Sequence, residues 1–322
     1  MALRLVMMGT GNFALPTLRG LYGTQHEIVG LFTQPDRTGR GHHHHRNPLK
    51  EAGLEHHTPL FQPQDVNTPE SLDELRRLNA DLCVVAAYGQ ILSADLLRVP
   101  KLGAVNVHAS LLPKYRGAAP VQHAILKGET ETGLTIFQIE PKLDAGPILG
   151  IETTKIGPKE TSGELEHRLA ELAAPLMLQI VDQLEAGTVD HISQDPQQVT
   201  RAPRLRKSSG AVDWTKPADA IGRHVRAMQP WPSAFTFLEQ AGKKPLRLIL
   251  LDVEPGGLSE NVEPGTVISA DQDRLIVQTG KGSIEILQFL PEGKRAILAA
   301  EFMHGHAVQV GDRLIPSPAS GA

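Results

Sequence analysis

A single cysteine in 322 residues removes two classes of protein at once. Cys83 lies inside the apolar run DLCVVAAY and has no second thiol to pair with, so a disulfide framework and a cysteine-built zinc site are both excluded, and a reducing compartment fits. Long hydrophobic runs are missing too. The N-terminal MALRLVMMG is apolar but far too short to span a bilayer, and it leads into a glycine-rich turn instead of a small-residue cleavage site. It reads as the first strand of a cytoplasmic protein with no membrane attachment. Nor is there an excess of positive charge: 32 Lys and Arg against 36 Asp and Glu leave a net charge of −4, which argues against a surface coated for nucleic acid. The deficit is uneven, with 17 basic against 23 acidic residues in 1–200 and 15 against 13 in 201–322. The C-terminal part is the less acidic one, a modest bias toward a polyanion partner.

What is present fits two domains of ordinary soluble composition. LRLVMM is an apolar run followed by GTGNFALPTLRGL, a strand, a glycine turn and the start of a helix. Gly9, Gly11 and Ala14 match a dinucleotide-binding fingerprint, and an NAD-dependent oxidoreductase would rest on that stretch alone. Glu27 and Asp36 are poorly placed to bind a ribose, so the glycines are expected to let a helix pack tightly on the sheet. EIVGLFTQ reads as a second strand and PDRTGRGHHHHRNPLK as a loop carrying Arg37, Arg40, Arg46 and Lys50, whose arginines suggest phosphate contact. Its four histidines, His42 to His45, specify no metal geometry and read as a solvated stretch that binds metal only adventitiously.

Beyond the amphipathic SLDELRRL, DLCVVAAYGQIL gives a buried strand and a turn with Tyr88, Gly89 and Gln90 at the carboxyl end. A leucine-spaced helix runs from about Thr161 to a glycine stop at Gly187. Residues 188–205 read as a linker. After it come a helix, ADAIGRHVRAM, and short strands at LRLILLDVE, GTVISA, RLIVQT and SIEILQFL, closely spaced as in a small barrel. Trp214 and Trp231 are expected to anchor its core.

The chemistry gathers between 103 and 149. In GAVNVHA, Asn106 and His108 stand two apart on a short strand and so leave the same face, at the carboxyl end where open α/β sheets bind ligands. A second strand, TGLTIFQIE, leads into the turn PKLDAGP, which carries Asp144. An amide, an imidazole and a carboxylate can thus converge. The set suits acyl transfer: an amide N–H stabilises a developing oxyanion, an imidazole shuttles a proton, and a carboxylate orients it or accepts a proton from an attacking amine.

Asn-x-His followed by SLLPKYRGAAP and LDAGPIL resembles the signature of the folate-dependent formyltransferases, and the longer context, with PDRTGRG, KSSGAVDW and VRAMQPWPSA, resembles their methionyl-tRNA-directed branch. The likeness runs from Gly9 to about Leu314. It implies a Rossmann-like α/β catalytic domain over 1–187, a linker over 188–205 and a smaller mostly-β, OB-like barrel over 206–316 that binds tRNA. It further implies formyl transfer from 10-formyltetrahydrofolate to the amino group of methionine on initiator tRNA, by a monomer without a metal. Asn106, His108 and Asp144 would be catalytic; Tyr88, Gly89, Gln90 and Ser110, Leu111, Leu112, Pro113 would form the folate site; Arg37, Arg40, Arg46, Arg204, Arg206 and Lys207 would hold tRNA. In the loop, histidines stand where the family commonly has lysines. A formyltransferase acting on amino-sugar nucleotides or glycinamide ribonucleotide would share the Asn-His-Asp set but lack PDRTGRG and KSSGAVDW, and a hydrolase of the same folate would lack the acceptor site.

Overall fold

The computed structural model describes residues 2–36, 47–271 and 274–318. The chain forms two compact units, one from Met1–Pro120, Glu131–Lys155 and Glu164–Pro203, the other from Val121–Thr130, Ile156–Gly163 and Arg204–Ala322.

The first unit follows the order β1 (Arg4–Gly9), α1 (Leu15–Tyr22), β2 (Glu27–Phe32), α2 (Pro48–Glu55), β3 (Leu60–Phe61), α3 (Pro69–Arg77), β4 (Leu82–Ala86), α4 (Ala94–Leu97), β5 (Ala104–His108) and β6 (Arg116–Gly117). After α5 (Pro120–Lys127), which lies in the second unit apart from Pro120, come β7 (Glu131–Gln138), β8 (Ile148–Lys155), α6 (Ser162–Ala186) and β9 (Arg201–Ala202). The main sheet has the order β3-β2-β1-β4-β5-β7-β8, parallel from β3 to β5 and antiparallel beyond. Leu5, Val6, Met7 and Met8 are wholly buried in succession, as expected of a parallel strand covered on both faces. Prolines at the starts of α1, α2 and α3 supply a preset φ where no intrahelical N–H bond is needed. Asn47, Thr68 and Ser93 cap the helices that follow them by accepting a backbone N–H.

Strand order reverses at β1, between β2 and β4, which marks the ligand-binding edge of such a sheet. Gly9 ends that strand. A Cβ there would fall 2.8 Å from both the Ala14 Cβ and a Leu49 methyl, and 2.9 Å from the Ala86 carbonyl, so glycine is required for close packing, as the sequence suggested. One reading changes, and one strand went unread. The loop drawn to Lys50 ends earlier, because Asn47 caps α2 and Pro48 opens it. And ILGIETTK is a strand, β8, that lacks a period-two pattern because most of its side chains are exposed or half-buried.

The second unit contains α7 (Ala218–Ala227), β10 (Ala234–Glu239), β11 (Leu246–Gly256), β12 (Val267–Asp271), β13 (Arg274–Gln278), β14 (Ser283–Pro291), β15 (Ile297–Leu298), α8 (Ala299–His306) and β16 (Arg313–Ile315). Its antiparallel sheet has the order β12-β13-β14-β11-β10-β16, with β15 beside β14. The two edges meet. Thr266 bridges Arg313, and the Leu314 N–H donates to the Gly265 carbonyl at 2.7 Å, so the sheet curls into the mostly-β, barrel-like form expected of it. α7 buries Ala218, Ile221, Gly222, Val225 and Ala227 at helical spacing. Trp214 is 2% exposed and donates its indole N–H to Thr236 Oγ1. Trp231, expected in the core, is 51% exposed: it sits between Pro230 and Pro232 in a surface turn, and residue type alone does not tell an inward ring from an outward one.

Candidate active site

Asn106 and His108 stand on β5 at the carboxyl edge of the sheet. β5 is covered on one side by β4, with Val85 opposite Asn106, and on the other by β7, with Thr135 opposite His108. His108 is buried, with the Phe137 ring edge-on at 6.4 Å. Its Nε2 lies 3.0 Å from the Tyr115 carbonyl. A carbonyl only accepts, so Nε2 carries the proton and the neutral ring presents a lone pair at Nδ1. That nitrogen is 3.9 Å from Asp144 Oδ2. Burial holds the His108 pKa below the ordinary histidine value, against the opposing effects of the Asp144 carboxylate and the Tyr115 hydrogen bond, while Arg116 lowers it further.

Asp144 reaches this position from the turn between β7 and β8, in a left-handed conformation with φ +47°. Its Oδ2 also accepts the Gly117 N–H at 2.8 Å. Among the described residues, no group hydrogen-bonds the half-buried Asn106 carboxamide, which leaves its N–H donors available to a ligand. The three residues singled out in the sequence are thus brought to one edge. Together they offer an unengaged amide donor, a proton acceptor of set tautomer and a carboxylate that stabilises the imidazolium once formed.

The residues expected to bind folate frame the same edge through their backbone. Ser110 Oγ turns inward to the Lys114 carbonyl, and the Thr135 hydroxyl donates to the Ser110 carbonyl and accepts the Leu112 N–H. The Leu112 side chain packs with Phe137 and Ile148, while Leu111 and Pro113 are half-buried. Tyr88 is directed into the core with Val6, Met8 and Phe32, its hydroxyl buried without a partner among the described residues, and its carbonyl accepts from Gln34. Gly89 is exposed at φ +84°, and the Gln90 carboxamide is occupied by Val66 N–H and the Pro63 carbonyl.

Arg37, Arg40, Arg46 and His42 to His45 lie outside the described residues. Arg204, Arg206 and Lys207 are exposed at the start of the second unit's C-terminal segment. The Cys83 thiol, wholly buried in β4, is pushed up to about 12 by burial, which makes it inert as a nucleophile. Among the described residues, His26, Asp182 and Glu185 cluster at metal-ligand spacing. His26 Nδ1 accepts the Leu3 N–H, and Nε2 lies within hydrogen-bond distance of Asp182 Oδ1, at 3.2 Å.

Sequence reasoning passed over the supports of this site. Gly117 and Thr135 carried some signal, one a glycine with φ +127°, the other a buried hydroxyl within an apolar strand. Gln194 and Thr200, which bond the site's loops from the segment read as a linker, carried none.

The fold and site define a class. The family profile described as Formyl transferase matches residues 3–181, and that described as Formyl transferase, C-terminal domain, matches residues 204–307. Full-length relatives narrow it: the methionyl-tRNA formyltransferase of Methylococcus capsulatus is 43% identical, over 97% of this chain and 99% of that protein, and that of Hydrogenovibrio crunogenus 42%, over 93% and 95%. The chain belongs to the methionyl-tRNA formyltransferase family. Among solved structures, the sugar 3N-formyl transferase WlaRD superposes with a TM-score of 0.65 at 16% identity, over 92% of this chain and 100% of that one. HypX from Aquifex aeolicus gives 0.63 at 16%, over 96% of this chain and 48% of HypX, so the chain spans about half of HypX. Both likenesses concern the fold. HypX has been solved with tetrahydrofolic acid, and WlaRD with dTDP and 5-N-formyl-THF.

Proposed function

We propose that the chain transfers the formyl group of 10-formyltetrahydrofolate to the α-amino group of methionine on initiator methionyl-tRNA, giving N-formylmethionyl-tRNA. One observation carries the chemistry: the unprotonated Nδ1 of His108 stands 3.9 Å from the Asp144 carboxylate, beside an Asn106 carboxamide that no described residue engages. Near-full-length identity above 40% to methionyl-tRNA formyltransferases supports the choice of acceptor.

The folate supplies a formyl group on a nitrogen that leaves readily once protonated. Asn106 donates a hydrogen bond to the negative charge developing on the formyl oxygen. His108, neutral because it is buried, accepts a proton at Nδ1 as the amine attacks, directly or through Asp144, and returns it to the departing nitrogen. Asp144 holds the imidazolium while the proton is in transit. The loops at Tyr88 to Gln90 and Ser110 to Pro113 would take the folate against their backbone groups. No metal has a part in this scheme, because the charge that develops is small and the Asn106 amide donor is there to meet it.

The tRNA would be held by Arg37, Arg40 and Arg46 of the loop and by Arg204, Arg206 and Lys207, with 1–187 acting as catalytic domain, 188–205 as linker and 206–316 as tRNA-binding domain. Among the described residues no helix is long and apolar enough to cross a membrane, and we place the enzyme in the cytoplasm, acting as a monomer. The test is an acceptor panel. With 10-formyltetrahydrofolate as donor, charged initiator tRNA should be formylated, while elongator methionyl-tRNA and amino-sugar nucleotides should not. Formylation of an amino sugar instead would replace this reading.

A further inference from the structure

Residues 188–203 do more than join two parts of the chain. Ile192 exchanges backbone hydrogen bonds with Ile148, Thr200 accepts the Tyr115 N–H at its hydroxyl and the Arg116 N–H at its carbonyl, and β9 pairs with β6. Between these anchors lies the half-buried Gln194. Its Nε2 donates to the Asp144 carbonyl at 2.9 Å and to the Gly146 carbonyl at 2.8 Å, and its Oε1 accepts from Arg116 Nε at 3.1 Å and Nη2 at 2.6 Å. Carbonyls only accept and a guanidinium only donates, so the carboxamide has one possible orientation, with both donor hydrogens and both lone pairs in use.

These bonds bear on catalysis because Asp144 adopts an uncommon conformation for a residue with a side chain, φ +47°, and such a conformation persists only where its surroundings hold it. Gln194 grips the Asp144 carbonyl directly. It also grips Arg116, whose neighbour Gly117 supplies the N–H that holds the Asp144 carboxylate. Both ends of Asp144 therefore depend on one carboxamide. A glutamate could still bond Arg116 but would turn an acceptor toward two carbonyl oxygens, and a leucine would make none of the four bonds.

We infer that Gln194 is a positioning residue, whose carboxamide clamps the Asp144 turn against the Arg116–Gly117 strand and so keeps the carboxylate beside His108 Nδ1. This rests on the catalytic reading of Asp144 and His108 given above. Among the described residues, the charged groups facing His108 are Asp144 and Arg116, the first raising its proton affinity and the second lowering it.

The test compares Gln194→Leu, Gln194→Glu, Asp144→Asn and Gln194→Leu combined with Asp144→Asn, reading the single-turnover rate of formyl transfer, folate affinity, thermal melting and the NMR titration midpoint of His108. Gln194→Leu should slow transfer about 10- to 100-fold, the scale of a misplaced reacting group, with folate affinity unchanged and the His108 midpoint moved downward. Asp144→Asn should move the midpoint in the same direction, and adding Gln194→Leu to it should not lower the midpoint again, because coupled residues are non-additive. If Gln194→Leu fails to fold, Gln194→Glu, which keeps the Arg116 contact, should show the loss of rate. A wild-type rate in both Gln194 variants, or a further midpoint drop in the double variant as large as in the single, would overturn the inference alone. An Asp144→Asn enzyme with wild-type rate and midpoint would overturn the catalytic reading together with it.

Discussion

At the scale of the residue, the tautomer of His108 is set by a carbonyl. The Tyr115 oxygen fixes the proton on Nε2, and burial keeps the ring neutral, so the free nitrogen points to Asp144. A pH dependence follows with a definite sign. The folded state binds the His108 proton less tightly than the unfolded chain, whose value is about 6.5. Stability is therefore at its plateau above that pH and is lost as pH falls through the depressed folded value. His224, half-buried and likewise lowered by desolvation, acts in the same direction. Melting temperature should decline below about pH 6.5, and His108→Gln should flatten part of that decline. The acidic limb of kcat/KM should lie below the ordinary histidine value as well; a limb at or above it would mean the ring is not held neutral. Asn106 supports a second prediction. If its carboxamide is the oxyanion donor, Asn106→Asp should cost about 100- to 1,000-fold in turnover, with folate binding retained. Near-wild-type turnover would remove it from the mechanism.

At the scale of the element, glycine placement decides how closely the sheet edge is built. Gly9 ends β1 with no room for a methyl group against Ala14, Leu49 and the Ala86 carbonyl. Gly9→Ala should destabilise by about 1–3 kcal/mol, the usual range for overpacking, measured by denaturant unfolding. An alanine variant of unchanged stability would show that the edge yields, and would reopen the dinucleotide-like reading of GTGNFA. The boundaries of the long elements were legible because periodicity and stop signals agree: the leucine-spaced helix expected from about Thr161 to Gly187 is α6, Ser162–Ala186, with Gly187 at φ +67°. Short or exposed elements were not. β8 shows no alternation, and α8 follows β15 with Leu298 as an uncapped start, so neither leaves a pattern in sequence.

At the scale of the whole molecule, net charge −4 means that a polyanion must be held by local cations. Each phosphate contact contributes about 0.7 to 0.9 to the slope of log affinity against log salt. Arg40→Ala should flatten that slope for tRNA and leave folate binding unchanged. With His42 to His45 in place of permanent charges, tRNA affinity should rise as pH falls through about 6.5. Replacing the four by alanine should abolish the rise, and an identical pH profile in both proteins would make them passive.

The sequence by itself determined the α/β class of the first part, the strand-rich second part and the three chemical groups at 106, 108 and 144, because alternation, helical spacing and a contiguous motif are local properties. Tertiary structure decided the rest. Tyr115 selects the His108 tautomer, Gly117 and Gln194 hold a turn at Asp144 27 and 50 positions away in the chain, and Gly265 meets Leu314 to close the curl of the second sheet. Trp214 turns inward and Trp231 outward although the residue type is the same. Such choices depend on which backbone oxygen or neighbouring strand comes to lie opposite a side chain. That is set by packing between segments far apart in the chain, and no local pattern encodes it.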